Sequence, residues 1–254
     1  MKISSPEKPK EKTPLSILLI GPPGGGKTSL ALQFPNICIM DCDGNLDGPE
    51  RLIRSRKKDL SYGYETIRLD DNGQPVEVHD CFNRLMDKIQ EVGKLPEVKC
   101  IVVDGLTHVN EYIIRDVLKK QNKAKNPFEM EARDWIPFKS KAYQLLVSKL
   151  QGTGKHTIVT CHERIITESD PQAIMKEKIV KLEPAFQGGI TDYFGGFFTD
   201  MWRIECRKAA AGQYKYMVVT KKTTLSELKC SFPNVPDEVD ISNGAEPLLK
   251  LISL

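Results

Sequence analysis

Residues 21–28 have the composition and spacing of a phosphate-binding loop. They read GPPGGGKT and satisfy the pattern G-x-x-x-x-G-K-[ST] in full. Glycines let backbone N–H groups turn toward phosphate oxygens, Lys27 can reach the outer phosphates, and the Thr28 hydroxyl can bind Mg²⁺. The segment therefore predicts a nucleoside triphosphate site that contains Mg²⁺ and is built from Gly21, Pro22, Pro23, Gly24, Gly25, Gly26, Lys27, Thr28 and Ser29.

Asp104 is the predicted second ligand of Mg²⁺. It ends the apolar run CIVVD, and a carboxylate at the carboxyl end of a buried strand lies beside the phosphate loop when the two strands are close in the sheet. The alternative is that Asp104 only caps the helix that follows. In ATP-hydrolysing motor proteins that carry the water-activating acid directly after this Asp, the acid is a Glu. This chain has Gly105 at that position. The acid must therefore come from elsewhere.

Asp41 and Asp43 are the candidates for that acid. Both follow the apolar run after the phosphate loop, in the segment DCDG. A side chain at this place can face the γ-phosphate and polarise the attacking water. The residues alone leave open which of the two aspartates does so.

These residues need a parallel sheet to bring them together. Four short apolar runs, at residues 15–20, 36–41, 99–105 and 156–161, have the pattern of buried parallel strands. Helices are predicted between them, at residues 27–33, 48–60, 76–92, 106–121 and 136–155. After residue 162 the chain is rich in strands, with hairpins predicted near residues 170–171 and 211–212. The order predicts an α/β fold with a mainly parallel central sheet flanked by helices, to which the C-terminal half adds antiparallel strands.

Composition narrows the class of protein. Of the 254 residues, 40% are hydrophobic and 28% are charged, and no apolar run approaches the roughly 20 residues that cross a bilayer. The seven cysteines contain no C-x-x-C pair, which favours reduced thiols in the cytoplasm. We expect a flexible tail at residues 1–13, an ATPase domain at 14–235 and a C-terminal extension at 236–254. The net charge of +3 is small, so nucleic acid would need locally clustered basic residues.

The segment IMDCDGNLDGPERL resembles the DTEG…PERL segment of RecA-like recombinases. The resemblance implies that Asp43 is the catalytic acid, with Asp in place of Glu and one extra residue before PERL. In the same comparison His162 stands where those proteins have the glutamine that senses the γ-phosphate and couples it to the second DNA loop.

A set of segments between residues 15 and 222 is similar to a phage nucleotide-binding AAA-type family with a RecA-like core, which includes ATP-dependent single-strand annealing proteins. The segments are ILLIGPPGGGKTSLALQFPNICIMDCDG, IVVDGLT, TIVTCHE and YFGGFFTDMWRI. The resemblance implies a RecA-like P-loop ATPase that uses ATP and Mg²⁺, is stimulated by DNA, and promotes annealing or homologous recombination in the bacterial host cytoplasm. It also implies single-stranded DNA, a single-strand-binding protein and further copies of the chain, in a ring or short filament, as partners.

The same resemblance identifies candidate DNA-binding and trans-acting residues. Residues 122–134 would occupy the first DNA loop and residues 163–189 the second. Basic residues in or beside these segments are Lys119, Lys120, Lys123, Lys125 and Arg164, and lysines with a nearby aromatic can contact backbone and stack on bases. The alternative is a solvated helix end, because lysines there also favour the helix dipole. Lys221 and Lys222 stand where RecA-like proteins place lysines that reach the γ-phosphate of a neighbouring subunit, or they are an ordinary charged strand end.

Other features are predicted to be structural. His79, His108 and His156 have no ligand spacing, and the aromatic residues between 193 and 202 are expected in the core. Two other functions remain as alternatives. A P-loop nucleotide kinase would need an arginine-rich lid, and an AAA+ loader or remodelling ATPase would need DE after the CIVVD strand and a helical lid domain. Residues 1–14 contain no F-x-x-A anchor of the kind that joins filament subunits.

Overall fold

The computed structural model describes residues 14–121, 130–169, 177–209 and 212–252. Within these ranges the strands are β1 (Ser16–Gly21), β2 (Ile37–Asp41), β3 (Gly63–Thr66), β4 (Cys100–Asp104), β5 (His156–Ser169), β6 (Glu177–Pro184), β7 (Asp200–Lys208), β8 (Tyr214–Val219) and β9 (Glu238–Asp240). The helices are α1 (Lys27–Ala31), α2 (Asp47–Arg54), α3 (Val78–Gly93), α4 (Leu106–Lys120), α5 (Trp135–Tyr143), α6 (Phe194–Phe197) and α7 (Glu246–Ile252).

The central sheet has the strand order β3-β2-β4-β5-β1-β7-β8-β9, and β6 pairs with β5 off this path. Strands β3 to β7 in this order are parallel to one another, whereas β8, β9 and β6 join in antiparallel fashion. The predicted fold class is confirmed: a mixed α/β fold with a mainly parallel sheet and antiparallel strands from the C-terminal half.

The register brings the ends of four strands to one edge of the sheet. Gly21 at the end of β1 pairs with His162 in β5, and Asp41 at the end of β2 pairs with Asp104 at the end of β4. In a parallel α/β sheet, ligands bind in the crevice beyond the carboxyl ends of such strands. The register alone therefore gathers most of the predicted site residues.

The sheet separates two hydrophobic cores. Along β1, Leu18 and Ile20 face one core, and Ile17 and Leu19 face the other. Helices α3, α4 and α5 cover the first core, while α1, α2 and α7 cover the second. The strands alternate between two buried faces, which explains why they read as continuous apolar runs rather than as alternating ones. Each fully buried aliphatic side chain contributes about 1.5–3 kcal/mol.

Three helices differ clearly from their predicted bounds. The helix predicted at 48–60 ends, as α2, at Arg54. The phosphate-loop helix α1 ends at Ala31 rather than near residue 33. The helix predicted at 136–155 begins as α5, widens into a π-helical segment at Gln144–Leu150 and tightens into a 3₁₀ turn at Gln151–Thr153. Gly154 then ends it in the left-handed conformation, with φ of 67°, as expected for a glycine that closes a helix.

The C-terminal half forms two antiparallel hairpins, as predicted. Strand β5 is longer than the predicted 156–161 and runs on to Ser169, paired with β6; β7 pairs with β8. Within the predicted extension 236–254, β9 joins the sheet beside β8, and Leu248 and Ile252 of α7 enter the second core. The predicted tail at 1–13 lies outside the described residues.

Two further expectations concern exposed surface. Phe194, Phe198 and Trp202 are buried as predicted, but Tyr193 is 62% exposed, so the prediction of a core position was wrong for that residue. No helix within the described ranges has the length and apolar character needed to cross a membrane.

Candidate functional site

The phosphate loop connects β1 to α1, and its glycines are required by its geometry. A Cβ atom at Gly21 would lie 2.2 Å from the backbone oxygen of Ile204 on the neighbouring strand β7. Gly26 has φ of 95°, a left-handed conformation, and its Cα faces the ring of Tyr216. A side chain at either position would push the loop away from the sheet, so the glycines keep the loop close-packed and its backbone open to phosphate.

Lys27 lies at the base of this loop with only 7% of its surface exposed. Its Nζ donates hydrogen bonds to the backbone oxygens of Gly21, at 2.9 Å, and Pro22, at 2.8 Å. Burial lowers the pKa of the Lys27 ammonium, and the nearby carboxylate of Asp104 opposes that shift. These bonds hold the ammonium against the loop backbone, where phosphate oxygens can replace the two backbone acceptors.

Thr28 and Asp104 form the candidate metal site. Asp104 is buried and accepts hydrogen bonds from the hydroxyls of Thr160 and Thr28. Burial raises the pKa of the Asp104 carboxyl, and these two hydrogen bonds oppose the rise. Hydroxyl and carboxylate oxygens suit Mg²⁺, which is commonly held by one or two protein groups together with phosphates and water. Consistent with such a sparse site, the described residues contain no group of three or more His, Cys, Asp or Glu that could hold a metal.

The two aspartates after β2 lie in different environments. Asp41 is 5% exposed, and its Oδ1 accepts the N–H of Gly44 at 2.8 Å. Burial raises the pKa of Asp41 to about 6, and the charges of Asp43 and Asp104 add to the rise. Asp43 is half-buried and lines the cavity beside the phosphate loop. Its Oδ1 accepts the N–H of Asn45 at 2.9 Å, and its carboxyl also hydrogen-bonds the carboxyl of Asp41.

His162 joins the phosphate loop to the long strand β5. Its Nδ1 lies 3.3 Å from Lys27 Nζ, and its backbone N–H donates to the Thr107 hydroxyl at 3.1 Å. Burial and then the charge of Lys27 lower the pKa of the imidazole. The next residue, Glu163, accepts two hydrogen bonds from the Arg203 guanidinium, of 2.7 and 3.0 Å. The β5–β6 hairpin therefore begins directly at the predicted γ-phosphate sensor.

One cavity of about 440 Å³ connects these residues, a volume typical of small-molecule sites. Among the predicted site residues it is lined by Pro23, Gly24, Gly26, Lys27, Thr28, Ser29, Asp43, Asp104 and His162. Gly21, Pro22 and Gly25 lie in the loop behind the lining.

Part of the cavity lining is formed by residues that the sequence analysis missed. They include Leu52 and Arg56 from α2 and its end, together with Tyr216, Ile241 and Ser242. Ser242 Oγ accepts the N–H of Tyr216 at 2.9 Å, and Arg56 donates to the Ser242 backbone oxygen at 2.6 Å. These groups reach the site through the pairing of β8 with β9, so no local pattern in the sequence could have indicated them. His108 also lines the cavity, although the sequence suggested a structural role.

The candidate DNA-binding and trans-acting residues do not line this cavity. Those within the described ranges are all in ion pairs. Lys119 pairs with Asp80 at 3.0 Å, Lys221 with Asp237 at 2.6 Å and Lys222 with Glu227 at 2.7 Å between exposed side chains, whereas Lys120, at 3.2 Å, and Arg164 pair with the buried carboxylates of Asp116 and Glu183. The exposed pairs contribute only about 0–1 kcal/mol, so a phosphate can compete for Lys119, Lys221 and Lys222. Lys123 and Lys125 lie outside the described residues.

Comparisons with known proteins cover nearly the whole chain. A sequence model of the family described as AAA domain matches residues 13–229. Among solved structures, a KaiC-like protein from the hyperthermophilic archaeon Pyrococcus horikoshii is similar with a TM-score of 0.50 and 14% identity, over 94% of this chain and 91% of that one. The structure of a RadB recombinase has a TM-score of 0.48 and 15% identity, over 90% and 88% of the two chains. No curated protein matched the sequence. The likeness to the KaiC-like protein shows that the two chains share a fold.

Proposed function

Because the chain belongs to the AAA domain family, we propose that it is a Mg²⁺-dependent ATPase that binds single-stranded DNA and promotes annealing or homologous recombination. The observation that carries the proposal is the convergence of Lys27, Thr28, Asp43 and Asp104 on one cavity beside the phosphate loop. This set provides a cation for the outer phosphates, two oxygen ligands for Mg²⁺ and an acid facing the place where hydrolysis would occur.

Each residue has a defined part in the proposed hydrolysis. Lys27 exchanges its bonds to the loop oxygens for bonds to the β- and γ-phosphates. Thr28 and Asp104 hold Mg²⁺, which neutralises phosphate charge when bound. Asp43 is the one of the two aspartates that lines the cavity, so it supplies the negative charge that activates the attacking water. Asp41 is buried and accepts the N–H of Gly44, and burial raises its pKa, so it supports the turn.

We propose that His162 transmits the state of the nucleotide to DNA. The contact between Lys27 and His162 supports this, because loss of the γ-phosphate changes the charge beside the imidazole. His162 precedes the β5–β6 hairpin in the same strand, and Glu163 is bound by Arg203. A shift of His162 would therefore act on the base of the hairpin. DNA would contact Arg164 there and Lys119, Lys120, Lys123 and Lys125 on the neighbouring segment.

Further parts of the proposal concern partners. Lys221 and Lys222 lie at the exposed end of β8, where they are accessible to the nucleotide of an adjacent copy in a ring or short filament. A phage-encoded protein of this kind would act in the bacterial cytoplasm together with a single-strand-binding protein. These parts rest on the resemblance to the phage family.

The experiment compares ATP turnover with and without a single-stranded oligonucleotide for wild type, Lys27→Ala and Asp43→Asn. Wild type is expected to hydrolyse ATP faster with the oligonucleotide, Lys27→Ala to lose nucleotide binding, and Asp43→Asn to bind nucleotide without turnover. If no nucleotide condition gives oligonucleotide binding, the recombination function is wrong. An Asp43→Asn variant with wild-type turnover would remove Asp43 from the mechanism.

A further inference from the structure

His108 has a ring nitrogen without a hydrogen-bond partner at the edge of the nucleotide cavity. It lies in the first turn of α4, where its backbone N–H donates to the Gly105 oxygen at 2.9 Å. Its Nδ1 is buried and has no hydrogen bond among the described residues, although nearly all buried polar atoms in proteins have one. The side chain also lines the cavity. Since Nδ1 is inaccessible, Nε2 is the ring nitrogen that remains for a ligand in the cavity.

The other three histidines have ordinary partners. His156 Nδ1 accepts the N–H of Leu15 at 3.0 Å, His79 Nε2 lies 3.2 Å from the Asp80 carboxylate, and His162 Nδ1 faces Lys27. His108 differs from them because its buried Nδ1 has no hydrogen-bond partner among the described residues. The difference is one of position, and the sequence contains no spacing that indicates it.

Gly105 separates His108 from Asp43. A Cβ atom at Gly105 would lie 3.2 Å from His108 Nδ1 and 3.8 Å from Asp43 Oδ2. The φ of Gly105 is 154°, which other residues rarely adopt. The glycine therefore leaves the imidazole and the carboxylate on either side of a position without a side chain. The acid found directly after this strand in other motors would occupy the space between them.

We propose that His108 is a further catalytic residue of this site, oriented by Asp43 through Nδ1 and presenting Nε2 to the attacking water. The Asp43 carboxyl accepts the N–H of Asn45 and hydrogen-bonds the Asp41 carboxyl. Its Oδ2 lies across Gly105 from Nδ1, and a carboxylate has lone pairs enough to accept an Nδ1–H as well. The two groups do not hydrogen-bond in the structure, and such bonds commonly tighten only in the reactive complex. A carboxylate that fixes the tautomer of a histidine leaves Nε2 as a base. The inference rests on the proposed ATP hydrolysis.

In the proposed step, the water oxygen forms a bond to the γ-phosphorus, and the bond from that phosphorus to the β–γ bridging oxygen breaks. ADP leaves with the electron pair of the broken bond. One water proton passes to Nε2 of His108, the Asp43 carboxylate balances the resulting positive charge, and the proton then passes to the inorganic phosphate. Asp43 thus activates the water through the imidazole, which explains how an Asp can serve where the resembling recombinases have a longer Glu.

The test uses the two amides that each imitate one ring nitrogen. His108→Asn keeps a donor near the Nδ1 position and lacks Nε2, whereas His108→Gln reaches the Nε2 position and cannot take up a proton. Both variants are expected to bind ADP like wild type and to lose about 100-fold or more in kcat, the usual contribution of a general base. Both are also expected to bind the ADP–aluminium fluoride complex, which traps the water in place, more weakly than wild type does. His79→Asn is the matched control, with wild-type values throughout.

A double variant separates this mechanism from independent roles. If Asp43 acts through His108, the kcat of the double variant Asp43→Asn/His108→Asn is no lower than the kcat of the less active single variant. A His108→Asn kcat within about threefold of wild type would overturn the proposal. A loss of kcat that a lower Tm of the variant explains completely would also overturn it. Wild-type protein without any ATP turnover would contradict the proposed function itself. Active wild type with unaffected His108 variants would contradict only this inference.

Discussion

Lys27 Nζ lies 3.3 Å from Nδ1 of His162, across the junction of β1 and β5. The ammonium that would bind the outer phosphates is therefore in contact with the first residue of the segment leading into the β5–β6 hairpin. The contact has an electrostatic effect in this structure, since the charge of Lys27 helps burial to lower the pKa of His162. The site thus links phosphate binding to an element that extends away from it.

Replacing Lys27 by Met tests this link directly. The loss of the ammonium is expected to abolish tight nucleotide binding and to raise the pKa of His162 toward its ordinary value, because one of the causes that lower it, after burial, is removed. Titration of the imidazole by NMR measures the pKa. Lys99→Met is the control, since Lys99 bonds to the Pro96 backbone oxygen on the surface. An unchanged His162 pKa in Lys27→Met would show that burial alone sets it.

The two aspartates after β2 are expected to respond differently to amide substitution. Asp43→Asn should lower kcat by about 100-fold or more, because a group that activates water is lost. Asp41→Asn should retain most of the turnover, since its amide oxygen can still accept the N–H of Gly44. Steady-state ATPase assays on both variants, with Kd for ADP measured alongside, distinguish them. A larger loss of kcat in Asp41→Asn than in Asp43→Asn would assign the activation of water to Asp41 instead of Asp43.

Asp41 also predicts a pH dependence of stability. Its pKa is raised to about 6 in the fold from the ordinary 3.8, so the folded state binds more protons than the unfolded state between these values. The free energy of unfolding therefore falls as pH rises from about 4 to 6. The Asp41→Asn side chain does not ionise, so this variant does not lose stability between pH 4 and 6. Its free energy of unfolding should exceed that of wild type by roughly 2–3 kcal/mol at pH 7.5 and differ little at pH 4. Urea unfolding at both pH values measures it.

The control for that experiment is Asp59→Asn, at an exposed position. It is expected to follow wild type at both pH values. An Asp41→Asn variant that is less stable than wild type at pH 7.5 would mean that the charged carboxylate is favoured in the fold.

The fold and the centre of the site could be predicted from sequence because their determinants are local. Short apolar runs, typical of strands buried on both faces of a parallel sheet, predicted β1, β2 and β4. The pattern of the phosphate loop identified Lys27 and Thr28. The part of the cavity lining that includes Tyr216 and Ser242 could not be predicted, because long-range strand pairing brings these residues to the site. Strand β5 was predicted too short because its second half is largely exposed and lacks an apolar run. The position of His108 beside Asp43 depends on the conformation of Gly105, which the sequence does not encode locally.

Lys119 and Lys120 are expected to contribute to single-stranded DNA binding. Replacing both by Ala should weaken binding and reduce the dependence of log Kd on log salt by about one to two, since each phosphate contact of a single strand contributes about 0.7. Fluorescence anisotropy with a labelled oligonucleotide, repeated at several salt concentrations, measures both. The control is Lys58→Ala/Lys94→Ala, which removes two exposed lysines elsewhere on the surface. If the two double variants behave alike, the effect is one of net charge only.

Thr160 and Thr157 on β5 provide a matched pair for the metal site. Both are 1% exposed, but the Thr160 hydroxyl donates to Asp104, whereas the Thr157 hydroxyl donates to Ser16 Oγ at 3.0 Å. Thr160→Val removes a donor that orients the proposed Mg²⁺ ligand and should raise the Mg²⁺ concentration for half-maximal turnover by about tenfold or more, as other substitutions around metal ligands do. Thr157→Val should leave that concentration unchanged, because its hydroxyl bonds Ser16 rather than Asp104. Equal Mg²⁺ requirements in the two variants would mean that Asp104 does not hold the metal, and that its buried carboxyl serves the fold alone.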